Sequence, residues 1–439
     1  MDAIADGGMA QPYQPASAWW AVALLFVASI LSVIDRGILS IVVDAVKADI
    51  GLSDIQISLL QGLAFGLFYA VVGVWLGFIA DRMSRRNLIL GGIALWSIAT
   101  AASGLVHSFG AMFACRLLVG LGEAALAPAA ISLIADLFPP AKRGRAIGIY
   151  LMGQSVATGI SFFAAGSLLH FAGAGGFAHV PVLAGLAPWR TIFLLCGVAG
   201  FVMVLAYLTV REPARANAGS QADGGHFRAV VAHFRARRGQ LACLYGGFAM
   251  FFLGSYAALG WQVVMLSRRF AMEAGTVAIM LSPVSLAFGI VGPLVGGMLV
   301  DGAVRRGGPT AILALLRFAP LLGLIFCLAN AVSSQWAAVL LVATLGGTAA
   351  IMGTATLAWL QATMPADMRG IAVSGTGLVN TVLGATMGPL LVAVLTDKLF
   401  ADPAKVGAAI VWVAAPAFLV SALLYAIGHR IAAVAERKA

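Results

Sequence analysis

Charge is what this sequence has least of. Of its 439 residues only 10% are Asp, Glu, Lys or Arg, while 61% are hydrophobic, and the mean hydropathy is +0.99. Soluble domains carry about 25% charged residues. A chain this apolar cannot present a polar surface to water, so a soluble globular protein is excluded and the bilayer must be its solvent. Cysteine is sparse too: Cys115, Cys196, Cys243 and Cys327 lie inside apolar runs at no metal-like spacing and read as small core residues. No Gly-x-x-x-x-Gly-Lys-Ser/Thr occurs, so no nucleotide-binding loop supplies energy. No His-Glu-x-x-His and no Gly-x-Ser-x-Gly occurs, and the six histidines fall outside the centres of the apolar runs. An intramembrane enzyme would need such a clustered constellation. Up to Ser17 there is no Lys or Arg, only Asp2 and Asp6, which is not the basic region of a signal peptide.

Long apolar runs are what the chain has in abundance. A helix needs about 20 apolar residues to cross the hydrocarbon. Twelve predicted spans lie near 18–44, 55–80, 87–107, 110–137, 145–169 and 189–210, then 240–266, 275–300, 309–331, 335–362, 369–396 and 406–432. Trp19, Trp20, Trp189 and Trp336 sit at span ends, where indole rings favour the interface. With the amino terminus inside, 18 of the 27 Lys and Arg face the cytoplasm, six face outside and three lie within spans. The positive-inside rule then places both termini in the cytoplasm. The net charge of +10 is therefore mostly a topology signal. It is scattered over short loops, which speaks against a nucleic-acid surface. The expected organisation is an all-α integral membrane protein: tail 1–17, six-helix bundle 18–210, linker 211–239, six-helix bundle 240–432 and tail 433–439. In the linker, Phe227, Val230, Val231 and Phe234 share one helical face beside Arg228, Arg235 and Arg238, as in a helix lying on the inner leaflet.

Two loops recur. Gly77-Phe-Ile-Ala-Asp81-Arg-Met-Ser-Arg85-Arg86 returns as Gly297-Met-Leu-Val-Asp301-Gly-Ala-Val-Arg305-Arg306. Phe138-Pro-Pro-Ala-Lys-Arg143-Gly144 matches Met364-Pro-Ala-Asp-Met-Arg369-Gly370. Same order and nearly the same offset indicate an internal duplication, the usual architecture of a transporter whose site lies between two halves.

The first repeated loop resembles the signature between helices 2 and 3 of the major facilitator superfamily, and the second its weaker copy. Arg116-Leu-Leu-Val-Gly120-Leu-Gly122-Glu123 resembles that family's arginine motif in the fourth span, and Trp189-Arg190-x-x-Phe193 its entry to the sixth. Asp35-Arg36, the Arg116–Glu123 run and Leu133-Ile-Ala-Asp136-Leu-Phe are similar to the Spinster branch, whose animal members export sphingosine-1-phosphate or move lysophospholipids. In the fifth span Gly153 and Gly159 fit the antiporter pattern, but its Gly-Pro pair is missing. The resemblance implies two pseudo-symmetric six-helix bundles rocking about a midplane site. It also implies that the first and fourth spans line the cavity.

Charges within spans cost at least about 2.5 kcal/mol each, so each is a functional candidate. Asp35 and Glu123 are the candidate proton carriers. Arg36 and Arg116 are candidates for holding an anionic headgroup, or for holding the carboxylates when substrate is absent. At 1.5 Å per residue Asp35 and Arg116 fall at about the same depth, with Glu123 about 10 Å deeper on the face it shares with Arg116. A permanently paired, purely stabilising network is the plainer alternative. In the second half Tyr256, Gln262, Thr354 and Asn380 are candidate substrate contacts, although such polar residues more often bond between helices. By resemblance Gly77, Asp81, Arg85, Arg86, Asp301, Arg305 and Arg369 form a conformational gate, with Asp81 near Arg85 or Arg86 or the amino end of the eleventh span. Arg317 has no evident role. A channel would show pore-lining repeats instead. The expected function is proton-coupled secondary transport of an amphipathic anionic lipid, such as a lysophospholipid, or export or symport of another small organic solute. No cofactor or metal is expected. The expected partners are an organic-anion substrate, protons and membrane lipids, and the expected state is a monomer in a bacterial inner membrane.

Overall fold

The computed structural model describes residues 14–66, 83–213, 224–365 and 368–436. Among them there are helices and no strands, and nine helical stretches are long and apolar enough to cross a membrane. Gly77 and Asp81, with most of the second predicted span, lie outside the described residues.

The first half comprises α1 (Pro15–Ile41), α2 (Val43–Ile50), α3 (Asp54–Ser58), α4 (Arg85–Ser103), α5 (Phe109–Ala124), α6 (Leu126–Leu137), α7 (Pro140–Gly173) and α8 (Pro188–Tyr207). Then come α9 (Gly224–Ala236), α10 (Arg238–Phe270), α11 (Ala274–Leu316), α12 (Ala319–Cys327), α13 (Gln335–Thr363), α14 (Arg369–Val379), α15 (Gly388–Val394) and α16 (Val406–Glu436). Starts follow local chemistry. Ser84, Ser108 and Ser334 accept from the backbone N–H three residues on, and α1, α7 and α8 carry Pro in their first turn.

Breaks inside the predicted spans are as informative as the starts. Pro128 has no N–H to offer the Ala124 carbonyl, and the fourth span parts there into α5 and α6, one residue past Glu123. The eighth and ninth spans join in α11, bent at Gly307 and at Gly308, whose φ of 63° and ψ of −162° suit glycine alone. Asp301, Arg305 and Arg306 are therefore helical, not looped. In the eleventh span Pro389 leaves the Ala385 carbonyl without its helical donor, and the helix widens into π-turns over Asn380–Met387. Gly62 packs against that carbonyl, and a Cβ there would sit 2.7 Å from it.

The two halves meet at the predicted outer end. Arg268 of α10 forms a fork to Asp44 of α2 at 2.6 and 3.3 Å. Asp397 accepts from the Ile55 N–H at 3.0 Å, and Ser58 donates to the Pro389 carbonyl at 3.0 Å. Ser282 donates to the Gly159 carbonyl at 2.9 Å. The larger hydrophobic core follows suit. It runs from the second half into Ile38, Leu39, Val46 and Leu60, while a smaller core stays within the first half around Trp96, Leu133 and Tyr207. At the predicted inner end, described polar contacts stay within each half: Arg85 with Asp136 and Glu212, Arg237 with the Thr363 carbonyl. Trp189, expected at the interface, is instead buried and donates to Asp49 at 2.8 Å. Arg190 joins the same carboxylate and holds Asp49 below its ordinary carboxylate value. Trp20 and Trp336 are exposed.

Candidate functional site

Asp35, Arg116 and Glu123 are all buried in the first half. Consecutive residues on a helix point about 100° apart, so Asp35 and Arg36 serve different neighbours. Asp35 faces α4, where Thr100 donates to its Oδ2 at 3.2 Å. Arg36 turns to α5, and its Nε donates to Glu123 Oε2 at 2.5 Å. Ser32, one turn before Arg36, donates to the same oxygen at 2.7 Å and accepts from Arg36 Nη2 at 3.0 Å. Arg116 reaches across to the backbone carbonyl of Asp35 at 3.1 Å, not to its carboxylate. Asp35 and Arg116 thus share a level, as their spacing from the span ends indicated. Arg36 keeps 37% of its side chain exposed and lies over the Phe65 ring at 4.8 Å. It is the charged member of this group that a solute can reach.

A cavity of about 280 Å³ opens between the halves near the middle of the spans. Its polar walls are Gln154, Ser155 and Thr158 of α7, Ser255, Tyr256 and Gln262 of α10, and Ser285 of α11; Phe162, Phe252 and Val342 are among its apolar walls. Among the described residues, none that lines it is charged. Tyr256 and Gln262, candidate substrate contacts, both line it. Asn380 lies behind Tyr256, donating to its hydroxyl at 3.4 Å. Thr354 is outside the lining and packs against Gly296. Arg116 lies outside it as well. Arg36 and Glu123 line a second, smaller cavity next door. Sequence reasoning missed Gln154, Thr100 and Ser32. Gln154 lay within the quoted fifth span, but a lone amide there carries no spacing signal.

Of the gate candidates, Arg85 is buried and central to a three-element clasp. It forms an ion pair with Asp136 of α6, and its Nε donates to Glu212 Oε1 at 2.9 Å. Glu212 also accepts the backbone N–H groups of Arg85 at 3.2 Å and Arg86 at 2.7 Å, and the Ser84 hydroxyl at 2.9 Å. A carboxylate from beyond α8 thus caps the free donors at the start of α4. Burial pushes the Glu212 carboxyl up, but the hydrogen bonds from Arg86, Arg85 and Ser84 outweigh it and hold the carboxyl below its ordinary value. Arg86 donates to the Leu208 carbonyl at 2.6 Å. In the repeat, Asp301 and Arg305 are exposed and have no ion pair among the described residues. Arg369 donates to the Met364 carbonyl at 3.1 Å. Arg317 ends α11, with its guanidinium 4.5 Å from the Phe318 ring.

Two helical sets closed against each other at one end, with a polar cavity at mid-span, define the fold of a helical membrane transporter. The chain belongs to the Major Facilitator Superfamily, whose sequence model matches residues 25–389. It is similar to an MFS-type efflux pump of Mycolicibacterium smegmatis, 26% identical over 96% of this chain and 95% of that protein. It is also similar to Protein spinster of Drosophila melanogaster, 25% identical over 64% of this chain and 44% of that protein. Its fold matches a bacterial homologue of the human lysosomal transporter Spinster, solved inward-facing and unoccupied, with a TM-score of 0.80 at 24% identity, covering 97% and 98% of the two chains. The chain is therefore a multi-pass transporter of this superfamily, and not an enzyme.

Proposed function

We propose that this protein is a proton-coupled secondary transporter that works by alternating access. In this reading both termini lie in the cytoplasm of a bacterial inner membrane, and the closed end faces outward. The carrying observation is that Arg36, paired with Glu123, is a partly exposed cation beside a cavity whose described lining residues are uncharged. An anionic headgroup and the Glu123 carboxylate compete for one guanidinium. Protonating Glu123 frees Arg36, so proton and anion bind together, and affinity for the anion rises as pH falls. Burial of Asp35 and Glu123 makes their charge states sensitive to any opening of the bundle. Arg85, Arg86 and Arg369, with Gly77, Asp81, Asp301 and Arg305, serve the inner gate.

The preferred substrate is amphipathic, a lysophospholipid or a sphingosine-phosphate-like molecule. A cavity of about 280 Å³ accommodates a headgroup, and the chain extends beyond it toward lipid. The same size and neutral lining favour, as a second reading, export or symport of a small organic solute, in line with the M. smegmatis relative. Uptake of labelled lysophospholipid into proteoliposomes, with and without an imposed pH gradient, decides between them. Gradient-dependent uptake supports the lipid reading. Its absence with folded protein, together with gradient-driven flux of a compact organic anion, supports the second.

Outer closure is testable separately. Arg268→Ala removes the fork to Asp44, which is half exposed, so the loss is about 1 kcal/mol, or roughly fivefold in the closed-to-open ratio. Distances between spin labels on the outer ends of α2 and α10 are expected to shift toward a longer population. An unchanged distribution would remove the clasp from the gate.

A further inference from the structure

Glu123 uses only one of its oxygens in the ion pair. Oε2 takes both Arg36 and Ser32, whereas Oε1 is buried and has no hydrogen-bond partner among the described residues. A buried acceptor left bare costs about 1–3 kcal/mol, and more when charged. Such an atom calls for a partner that is not a side chain. Against Glu123 lies a second cavity of about 20 Å³, lined by Ser29, Ser32, Arg36, Tyr150 and Gln154 among others. That is room for about one water, and the walls are polar enough to hold it. Gln154 is the residue common to this lining and to that of the large cavity, and its side chain is exposed. The two spaces therefore meet at one amide.

We propose that the small cavity is the proton entrance to Glu123: a single water, oriented by Gln154, relays protons between the large cavity and Oε1. The proposal rests on the reading of Glu123 as a proton carrier. A hydronium in the large cavity gives its proton to the held water. That water passes one of its own protons to the carboxylate, which becomes a neutral acid, and is left as neutral water. Release runs the same steps backwards. Gln154 suits the task because its amide both donates and accepts and does not itself titrate. Here it is a positioning residue. The charged and titratable groups around Glu123 are Arg36 and Asp35 from α1, Arg116 from its own helix and Tyr150 from α7. The relay sets how fast a proton reaches the carboxylate.

The test uses the full chain in phosphatidylcholine bilayers and infrared spectroscopy of the carboxylic-acid band that Glu123→Gln abolishes. After a pH jump, Gln154→Leu is expected to slow the growth of this band at least about tenfold, equivalent to 1.36 kcal/mol in barrier. Gln154→Asn is expected to recover much of the rate, and thermal unfolding is expected to stay unchanged. Gln154→Met serves as a second apolar variant should the leucine protein fold poorly. If the band grows as fast in the apolar variants as in the parent, the relay is wrong and Glu123 remains the carrier. If no Glu123-dependent band titrates in the parent protein, the carrier reading itself fails and the relay falls with it.

Discussion

Asp35→Asn is expected to abolish uptake driven by a pH gradient while leaving the protein folded. The side chain sits in a closed environment, with Thr100 donating to Oδ2 at 3.2 Å and 3% of the residue exposed. Asparagine has the same shape, keeps an acceptor for Thr100, and leaves the Arg116 bond to the backbone carbonyl intact. What it removes is the proton that the Asp35 carboxylate itself can take up. The contrast with Asp35→Ala isolates that loss, since alanine also strands the Thr100 hydroxyl and opens a void, adding about 1–3 kcal/mol of instability. Uptake in proteoliposomes across a series of imposed gradients measures it. An Asn variant whose flux still follows the gradient would remove Asp35 from coupling and leave it as a packing residue.

The second large effect is on stability. Arg85→Ala leaves Asp136 and Glu212 without their shared cation, and breaking a buried pair costs about 3–5 kcal/mol. Because Glu212 keeps 28% of its side chain exposed, the lower end of that range applies. Lysine is not expected to rescue, because one ammonium cannot span both carboxylates and the Ser132 carbonyl as the planar guanidinium does. The pH dependence carries the sign. The Glu212 carboxyl is held below its ordinary value of 4.5, so its contribution is fully present above about that pH and is lost as pH falls through the lower folded value. Thermal unfolding in bilayer discs should show the parent losing stability in acid, with Arg85→Ala less stable at neutral pH and flatter below 4.5. Parallel curves for the two proteins would mean that Glu212 gains nothing from Arg85.

Much of the site was legible because membrane solvent makes charge conspicuous. Asp35, Arg36, Arg116 and Glu123 stood out as charges in apolar runs, and helical geometry alone put Asp35 and Arg116 at one depth. The pairing was not legible. Whether Glu123 or Asp35 takes Arg36 depends on how α1 is rotated against α4 and α5. Only the packed bundle fixes that rotation, and it gives Glu123 to Arg36 and Asp35 to Thr100. Arg85 was singled out by its motif, yet its partner Glu212 lies far along the chain, beyond α8. Thr354 and Gln154 show the converse. Both are neutral polar residues in apolar helices, and sequence cannot tell a threonine that packs on a glycine from an amide that faces a cavity.

The sequence by itself determined that the chain lives in a bilayer, that it is helical, and where its rare charges lie. Those properties follow from local composition and period, because hydrocarbon admits only backbones that satisfy their own hydrogen bonds. Tertiary structure alone decided which end is closed, which carboxylate holds which arginine, and that the described walls of the cavity are uncharged. These are contacts between residues such as Asp44 and Arg268, or Ser58 and Pro389, far apart in the chain. No periodicity encodes them, since each depends on the relative rotation and tilt of helices that the two halves set only when packed together.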